Sequence, residues 1–186
     1  MASQSPRRVE ILDRFNVPFT QIKRASFDEP AIASNEHPLD YSVRVASEKA
    51  NQIKITDDGF ILAVDTIVVL NHFIFGKPSS LSQAINQLQL FQGKTHQVIS
   101  SCVLLNKERN HWDVCIDYAL VTFKSNCLDD INDYVNHYHP LDKAGSYGIQ
   151  DSPPFIENIS GDFYTIMGLP IKSLLKILSD YGMVKS

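Results

Sequence analysis

Arg7 and Arg8 stand where helix electrostatics disfavours them. They follow Ser5-Pro6 at the head of the apolar-periodic stretch "ASQSPRRVEIL". Ser5 suits an N-cap and Pro6 the first helical position, so both guanidinium groups fall in a first turn, beside the positive end of the macrodipole. A bound anion removes that conflict, because unpaired backbone N–H groups at a helix start attract phosphate and arginine adds charged forks. Asp65 poses the opposite problem. It interrupts "FILAVDTIVVL", residues 60 to 70, a β-branched run that reads as a central strand covered on both faces. A carboxylate there costs several kcal/mol unless a cation, a hydrogen-bond network or an open cleft receives it, on the order of the burial penalty for any charge.

Further charges gather around these two features. Lys77 lies in the tight turn "FIFGKP", and the acidic pair Asp28-Glu29 precedes Pro30 in an irregular stretch over residues 18 to 36. Lys49 borders the stripe Leu39, Val43, Ala46, Ala50 and Ile53, where its ordinary role would be to snorkel over the core margin. The connection "PLDKAGSYGIQDSPP", residues 140 to 154, carries Lys143, Tyr147 and Gln150, and connections of that length usually serve function. His137 and His139 lack a third ligand nearby and read as surface residues, not as a metal pair.

The elements that must position these groups are legible as periodic patterns. Val9, Leu12 and Phe15 predict a short helix from Pro6 that ends before Pro18, and a second helix starts at Pro38. Ser80-Leu81-Ser82-Gln83 resembles a capping box ahead of Ala84, Ile85, Leu88 and Phe91, with Gly93 as the stop. "THQVISSCVLL" and "HWDVCIDYALVTF" flank "NKERN" as a hairpin, and Leu128, Ile131, Val135 and Tyr138 predict a helix ending before Pro140. A last hairpin over "FIENISGDFYTIM" then leads to a terminal helix through Leu174, Leu175, Leu178 and Tyr181. The order predicts an α/β fold with a mixed sheet.

Composition bounds the function class. With 186 residues and 44% hydrophobic content, the chain builds one substantial core, as one domain or two closely joined lobes. No apolar run approaches the roughly 20 residues that span a bilayer, and the polar start lacks the apolar stretch of a signal peptide. A cytoplasmic protein is the expectation. Cys102, Cys115 and Cys127 form no C-x-x-C and are odd in number, which predicts reduced thiols. A net charge of -4 argues against an extended nucleic-acid surface. The Walker pattern and G-x-G-x-x-G are both missing, which removes support for ATPase and dinucleotide-fold readings.

Taken together, "ASQSPRRVEIL", "VRVASEKA", "AVDTIVV", "FGKP", "QLQLFQGKTHQV", "DKAGSYGIQ" and "ISGDFYTIMGLP" resemble the Maf family of nucleoside triphosphate pyrophosphatases, in order and over almost the whole chain. The resemblance implies a mixed, elongated, twisted sheet flanked by helices, with the active-site cleft between two lobes. It implies hydrolysis between the α and β phosphates, with a divalent cation, Mg²⁺ or Mn²⁺. By matching position, Asp65 takes the place of the proton acceptor, and Arg7, Thr66 and Gln150 take positions tied to substrate choice. Ser3, Arg7, Arg8, Lys49 and Lys77 are then the phosphate-binding set, and Glu29 with Asp65 the metal-binding carboxylates. Thr66 after the aspartate resembles the branch acting on dTTP and UTP. The chain departs from the family pattern at Val64, where a small residue is usual, and after Gln150, where a glycine is common.

The expected partner is a nucleoside triphosphate, without nucleic acid or membrane, and a homodimer is compatible with the resemblance. Two alternatives stand beside this reading. One is a house-cleaning pyrophosphatase for 7-methyl-GTP or inosine triphosphate, and the other a non-catalytic nucleotide-binding regulator of cell division.

Overall fold

A computed structural model describes residues 1–22, 27–54, 59–108 and 110–184. Along the chain run helices α1 (Pro6–Arg14) and α2 (Pro38–Asn51), strands β1 (Ile61–Leu70) and β2 (Phe73–Phe75), and helix α3 (Leu81–Phe91). They are followed by β3 (Thr95–Asn106), β4 (His111–Phe123), α4 (Leu128–Tyr138), β5 (Ile156–Ser160), α5 (Phe163–Met167) and α6 (Ile171–Asp180). The strands form one open five-stranded sheet in the order β2-β1-β3-β4-β5. Both outer pairs are antiparallel, with Val69 opposite Ile74 and Val121 opposite Ile159. The chain is α/β, as its pattern predicts.

Two compact units divide the chain. The first comprises Met1–Thr66, Ser100–Asp117 and Gly168–Ser186, the second Ile67–Ile99 and Tyr118–Met167. In the first, Ala46, Ala50 and Ile53 of α2 pack with Ala2, Ile61, Ala63, Val103 and Leu105. The small alanines let the helix lie close to the strands. The buried face of α2 is rotated from the Leu39-Val43 stripe: Leu39 and Val43 are half-buried, whereas Tyr41, Ser42 and Val45 are buried. Ser42 tolerates this position because its hydroxyl meets that of Ser101 on β3 at 2.8 Å. The core of the second unit is aromatic, with Phe123 4.8 Å from Phe155 and 5.7 Å from Phe91 between ring centres.

Two other expectations are corrected. The segment after Ser160 turns into α5 and forms no hairpin: Gly161 adopts φ +122°, and Asp162 then accepts from the backbone N–H of Tyr164 at 2.8 Å. Its strand β5 pairs with β4 instead. Cys102 and Cys115 lie on neighbouring strands, Cα atoms 5.2 Å apart, and are joined in a disulfide, whereas Cys127 is free and buried. That spacing falls in the usual range for such a bond, and residue parity in the sequence carried no information about it. Among the described residues no helix is long and apolar enough to cross a membrane.

Candidate active site

Strand β1 carries Asp65 into the interior of the first unit, where the residue is 4% exposed. Lys49, in the last turn of α2, reaches it: Nζ donates to Asp65 Oδ1 at 2.7 Å and to Glu29 Oε1 at 3.4 Å. The ammonium also lies 5.1 Å from the centre of the Phe27 ring. A lysine on the margin of the helix face thus serves as counter-ion to the strand carboxylate. Asp65 Oδ2 is buried and has no hydrogen-bond partner among the described residues. A buried polar atom in that state costs about 1–3 kcal/mol.

The loop bearing Glu29 is tied to α2. Tyr41 Oη donates to the Pro30 carbonyl at 3.2 Å and Arg44 Nη2 to the Ala31 carbonyl at 3.0 Å, while Arg44 also pairs with Glu36 at 2.7 Å. These anchors leave no mark in the sequence beyond polar residues on one side of the helix.

On the strand position next to Asp65, Thr66 belongs to a second network. Arg8 folds back from α1 so that Nε donates to the Gly168 carbonyl at 2.9 Å, Nη1 to Ser3 Oγ at 3.2 Å and Nη2 to Thr66 Oγ1 at 3.1 Å. Thr66 Oγ1 meets Ser100 Oγ at 2.9 Å, and Ser100 is fully buried. Burial pulls the Arg8 guanidinium down to about 10, Asp65 works against that shift, and neighbouring Arg7 adds to it. Ser5 holds the N-cap position of α1 without capping through its side chain. Its own N–H donates to Ser3 Oγ at 3.2 Å, so Ser3 rather than Ser5 organises the turn. Ser100 and the Gly168 carbonyl are not legible as site residues in the sequence, where Ser100 is marked only by the serine pair inside the run "VISSCVLL".

The structure therefore joins Ser3, Arg8 and Thr66 in one network and Glu29, Lys49 and Asp65 in another, on adjacent strand residues. Arg7 is half-buried beside them in α1. In the second unit, Lys77 is exposed in the turn after β2 and Gln150 half-buried in a short helical turn, Ile149–Asp151. The long connection over residues 140 to 154 has hydrogen-bonded partners along it: the Gly145 N–H donates to the Gly76 carbonyl at 3.2 Å, and Tyr147 Oη meets His96 Nε2 at 2.8 Å. Gly145 adopts φ +67°, and a Cβ there would come within 2.6 Å of Val68 Cγ2, so only glycine fits. Gln150 Nε2 donates to Asp151 Oδ1 at 2.9 Å, and Gln150 Oε1 is a second buried atom with no hydrogen-bond partner among the described residues.

No cluster of three or more histidine, cysteine or acidic side chains exists among the described residues. Mg²⁺ takes one or two protein carboxylates and keeps its remaining positions for water and substrate phosphate. Glu29, the unpartnered Oδ2 of Asp65 and the hard oxygen chemistry of both fit such an ion.

Comparison with known proteins agrees with this architecture. The chain is 38% identical over 183 residues to a dTTP/UTP pyrophosphatase of Bacillus cytotoxicus, covering 97% of this chain and 94% of the relative. It is 38% identical to a dTTP/UTP pyrophosphatase of Bacillus cereus and 37% to one of Bacillus anthracis, in each case covering 98% of this chain and 95% of the relative. Residues 1–181 match the family model described as Maf-like protein, and the chain belongs to that family.

Proposed function

We propose that this protein hydrolyses dTTP and UTP between the α and β phosphates, releasing the nucleoside monophosphate and pyrophosphate. The relatives bearing that name align over nearly the full chain. The observation that carries the reading is Asp65, a buried carboxylate with one oxygen on Lys49 and the other unpartnered. Water attacks the α-phosphorus, the bond from that phosphorus to the bridging oxygen breaks, and Asp65 Oδ2 accepts the proton of the attacking water. Lys49 holds the carboxylate in place through its 2.7 Å hydrogen bond to Oδ1, which leaves Oδ2 to take the proton.

Charge that shifts toward the leaving pyrophosphate needs fixed cations, and Arg7, Arg8, Lys49 and Lys77 supply them, with Ser3 as an added donor. Arg8 is pre-ordered by its three partners, so little side-chain entropy is lost when phosphate binds. Glu29 and Asp65 would hold a divalent cation, which supplies charge neutralisation and water activation when bound. Arg7, Thr66 and Gln150 set the choice of base. A cytoplasmic location belongs to the same reading, because its substrates are free nucleotides.

The test is pyrophosphate release from a panel of triphosphates with Mg²⁺ or Mn²⁺. The expected result is kcat/KM highest for dTTP and UTP, lower for CTP and low for ATP and GTP. A tenfold preference for 7-methyl-GTP or inosine triphosphate over both would refute the substrate assignment, and no release from any triphosphate would refute the activity.

A further inference from the structure

We infer that Asp151 and Tyr134 are positioning residues that lock the Gln150 side-chain amide in one orientation, so that Oε1 is presented as an acceptor for the N3–H group of uracil or thymine. The inference rests on the proposed activity for its substrate and on the following geometry for its content.

Gln150 Nε2 donates to Asp151 Oδ1 at 2.9 Å, and Tyr134 Oη donates to Asp151 Oδ2 at 2.7 Å. The Gly148 N–H in turn donates to Tyr134 Oη at 2.9 Å. Each group in this chain has one role. Gly148 N–H can only donate, so the phenol oxygen accepts from it and directs its own proton to Asp151. An ionised carboxylate can only accept, so it must meet the NH₂ end of the glutamine. Flipping the amide would set Oε1 against Oδ1, two acceptors at contact distance.

The same turn is shaped for this arrangement. A Cβ on Gly148 would lie 2.3 Å from Gln150 Nε2 and 2.7 Å from Asp151 Oδ2. Gly148 has ordinary extended backbone angles, φ -116° and ψ 126°, so what requires glycine here is the space taken by the glutamine amide and the carboxylate. Tyr134 is 3% exposed, and its ring packs at 5.2 Å from that of Phe155, which fixes the hydroxyl from the core side.

The consequence is a fixed, buried and unpartnered Oε1. An acceptor in that state favours a ligand that brings a donor, and the imide N3–H of uracil or thymine is one. Cytosine presents a lone pair at N3, which would face Oε1 as acceptor against acceptor. A glutamine free to flip would satisfy either base, so in this chain the lock biases the choice toward uracil and thymine. A site that leaves buried polar groups unsatisfied with the wrong ligand rejects that ligand strongly.

The experiment compares kcat/KM for UTP and CTP in the wild type, Asp151→Asn and Tyr134→Phe. It adds calorimetric binding of UMP and CMP, which needs no turnover. Asparagine is isosteric and can both donate and accept, so it permits either amide orientation. The expected result is a UTP:CTP ratio lowered about tenfold in Asp151→Asn and about threefold in Tyr134→Phe, with CTP hydrolysis itself reduced no more than about twofold. A general loss of structure would lower both substrates together. A ratio within twofold of wild type in Asp151→Asn would overturn the inference. If that variant does not fold, Tyr134→Phe decides, and an unchanged ratio there overturns it. Hydrolysis by the wild type with an unchanged variant ratio refutes this inference alone. A UMP-over-CMP preference that Asp151→Asn abolishes, in a protein that hydrolyses neither triphosphate, supports the lock and refutes the activity. Equal wild-type binding of UMP and CMP without hydrolysis refutes both.

Discussion

Lys49 Nζ lies 2.7 Å from Asp65 Oδ1, and Asp65 Oδ2 is left buried with no hydrogen-bond partner among the described residues. The two oxygens of one carboxylate thus have separate roles. One is tied to a helix through a cation, and the proposed reaction assigns proton acceptance to the other. Removing the charge while keeping the shape separates these roles. Asp65→Asn keeps an acceptor for Lys49 but cannot take a proton, so kcat should fall by about 10²- to 10⁴-fold while the folded state persists. Steady-state kinetics beside a thermal melt reads both. Retention of more than half the wild-type kcat would make Asp65 a structural residue.

The partner variant behaves differently. Lys49→Met leaves the Asp65 carboxylate buried without its counter-ion, and breaking a buried ion pair costs about 3 kcal/mol or more. Combining it with Asp65→Asn removes both charges and should recover most of that stability while activity stays lost. Urea denaturation of the two single variants and the double variant measures the coupling. Additive losses would mean that the pair contributes nothing as a pair.

Much of this site is legible from residue types, because a carboxylate in an apolar strand and arginines at a helix start both conflict with their local surroundings. Strand β1, the Pro6 and Pro38 helix starts and the Ser80 cap are local features, and the structure has them: Ser80 Oγ accepts from the Gln83 N–H at 3.1 Å. What escapes a linear reading depends on partners distant in sequence. The α2 face turns because Ser42 finds Ser101, Thr66 is held by Ser100, and Cys102 meets Cys115 only once β3 and β4 are adjacent. On β4 the apolar members of the alternation, Trp112, Val114, Ile116 and Tyr118, are the exposed ones, while Cys115 between them is buried. Period alone does not say which face is covered.

Arg8 and Lys77 are two of the four cations assigned to the polyphosphate, and their removal should be felt through the triphosphate. Each Ala variant is expected to weaken triphosphate binding by about 1.5 to 3 kcal/mol, the usual size of a hydrogen bond to a charged group, and monophosphate binding by less. Arg8→Lys should not rescue Arg8→Ala. A lysine has no planar fork to span the Gly168 carbonyl, Ser3 and Thr66 that the guanidinium reaches together. Calorimetry with UTP and UMP in the presence of Mg²⁺ checks both points. Equal losses for the two nucleotides would remove Arg8 and Lys77 from the outer phosphates.

The pH dependence of stability should come in part from His96, which the proposed reaction does not use. The residue is 1% exposed, its ring stacks on Phe91 at 4.4 Å, and Nε2 meets Tyr147 Oη at 2.8 Å. Nδ1 is buried without a hydrogen-bond partner among the described residues. Burial pulls its pKa from 6.5 to about 3, so the folded protein holds His96 neutral where the unfolded chain already binds a proton. The sign follows: stability from this group is full above about 6.5 and is lost as pH falls from there toward about 3, at up to 1.4 kcal/mol per unit. His96→Gln keeps a partner for Tyr147 and does not titrate. The stability difference between wild type and this variant should therefore shrink, or reverse in the variant's favour, by about 2 kcal/mol between pH 7.5 and pH 5. Urea unfolding at the two pH values measures it. A difference that does not change with pH would mean that His96 is protonated in the folded protein, which its apolar, fully covered surroundings oppose.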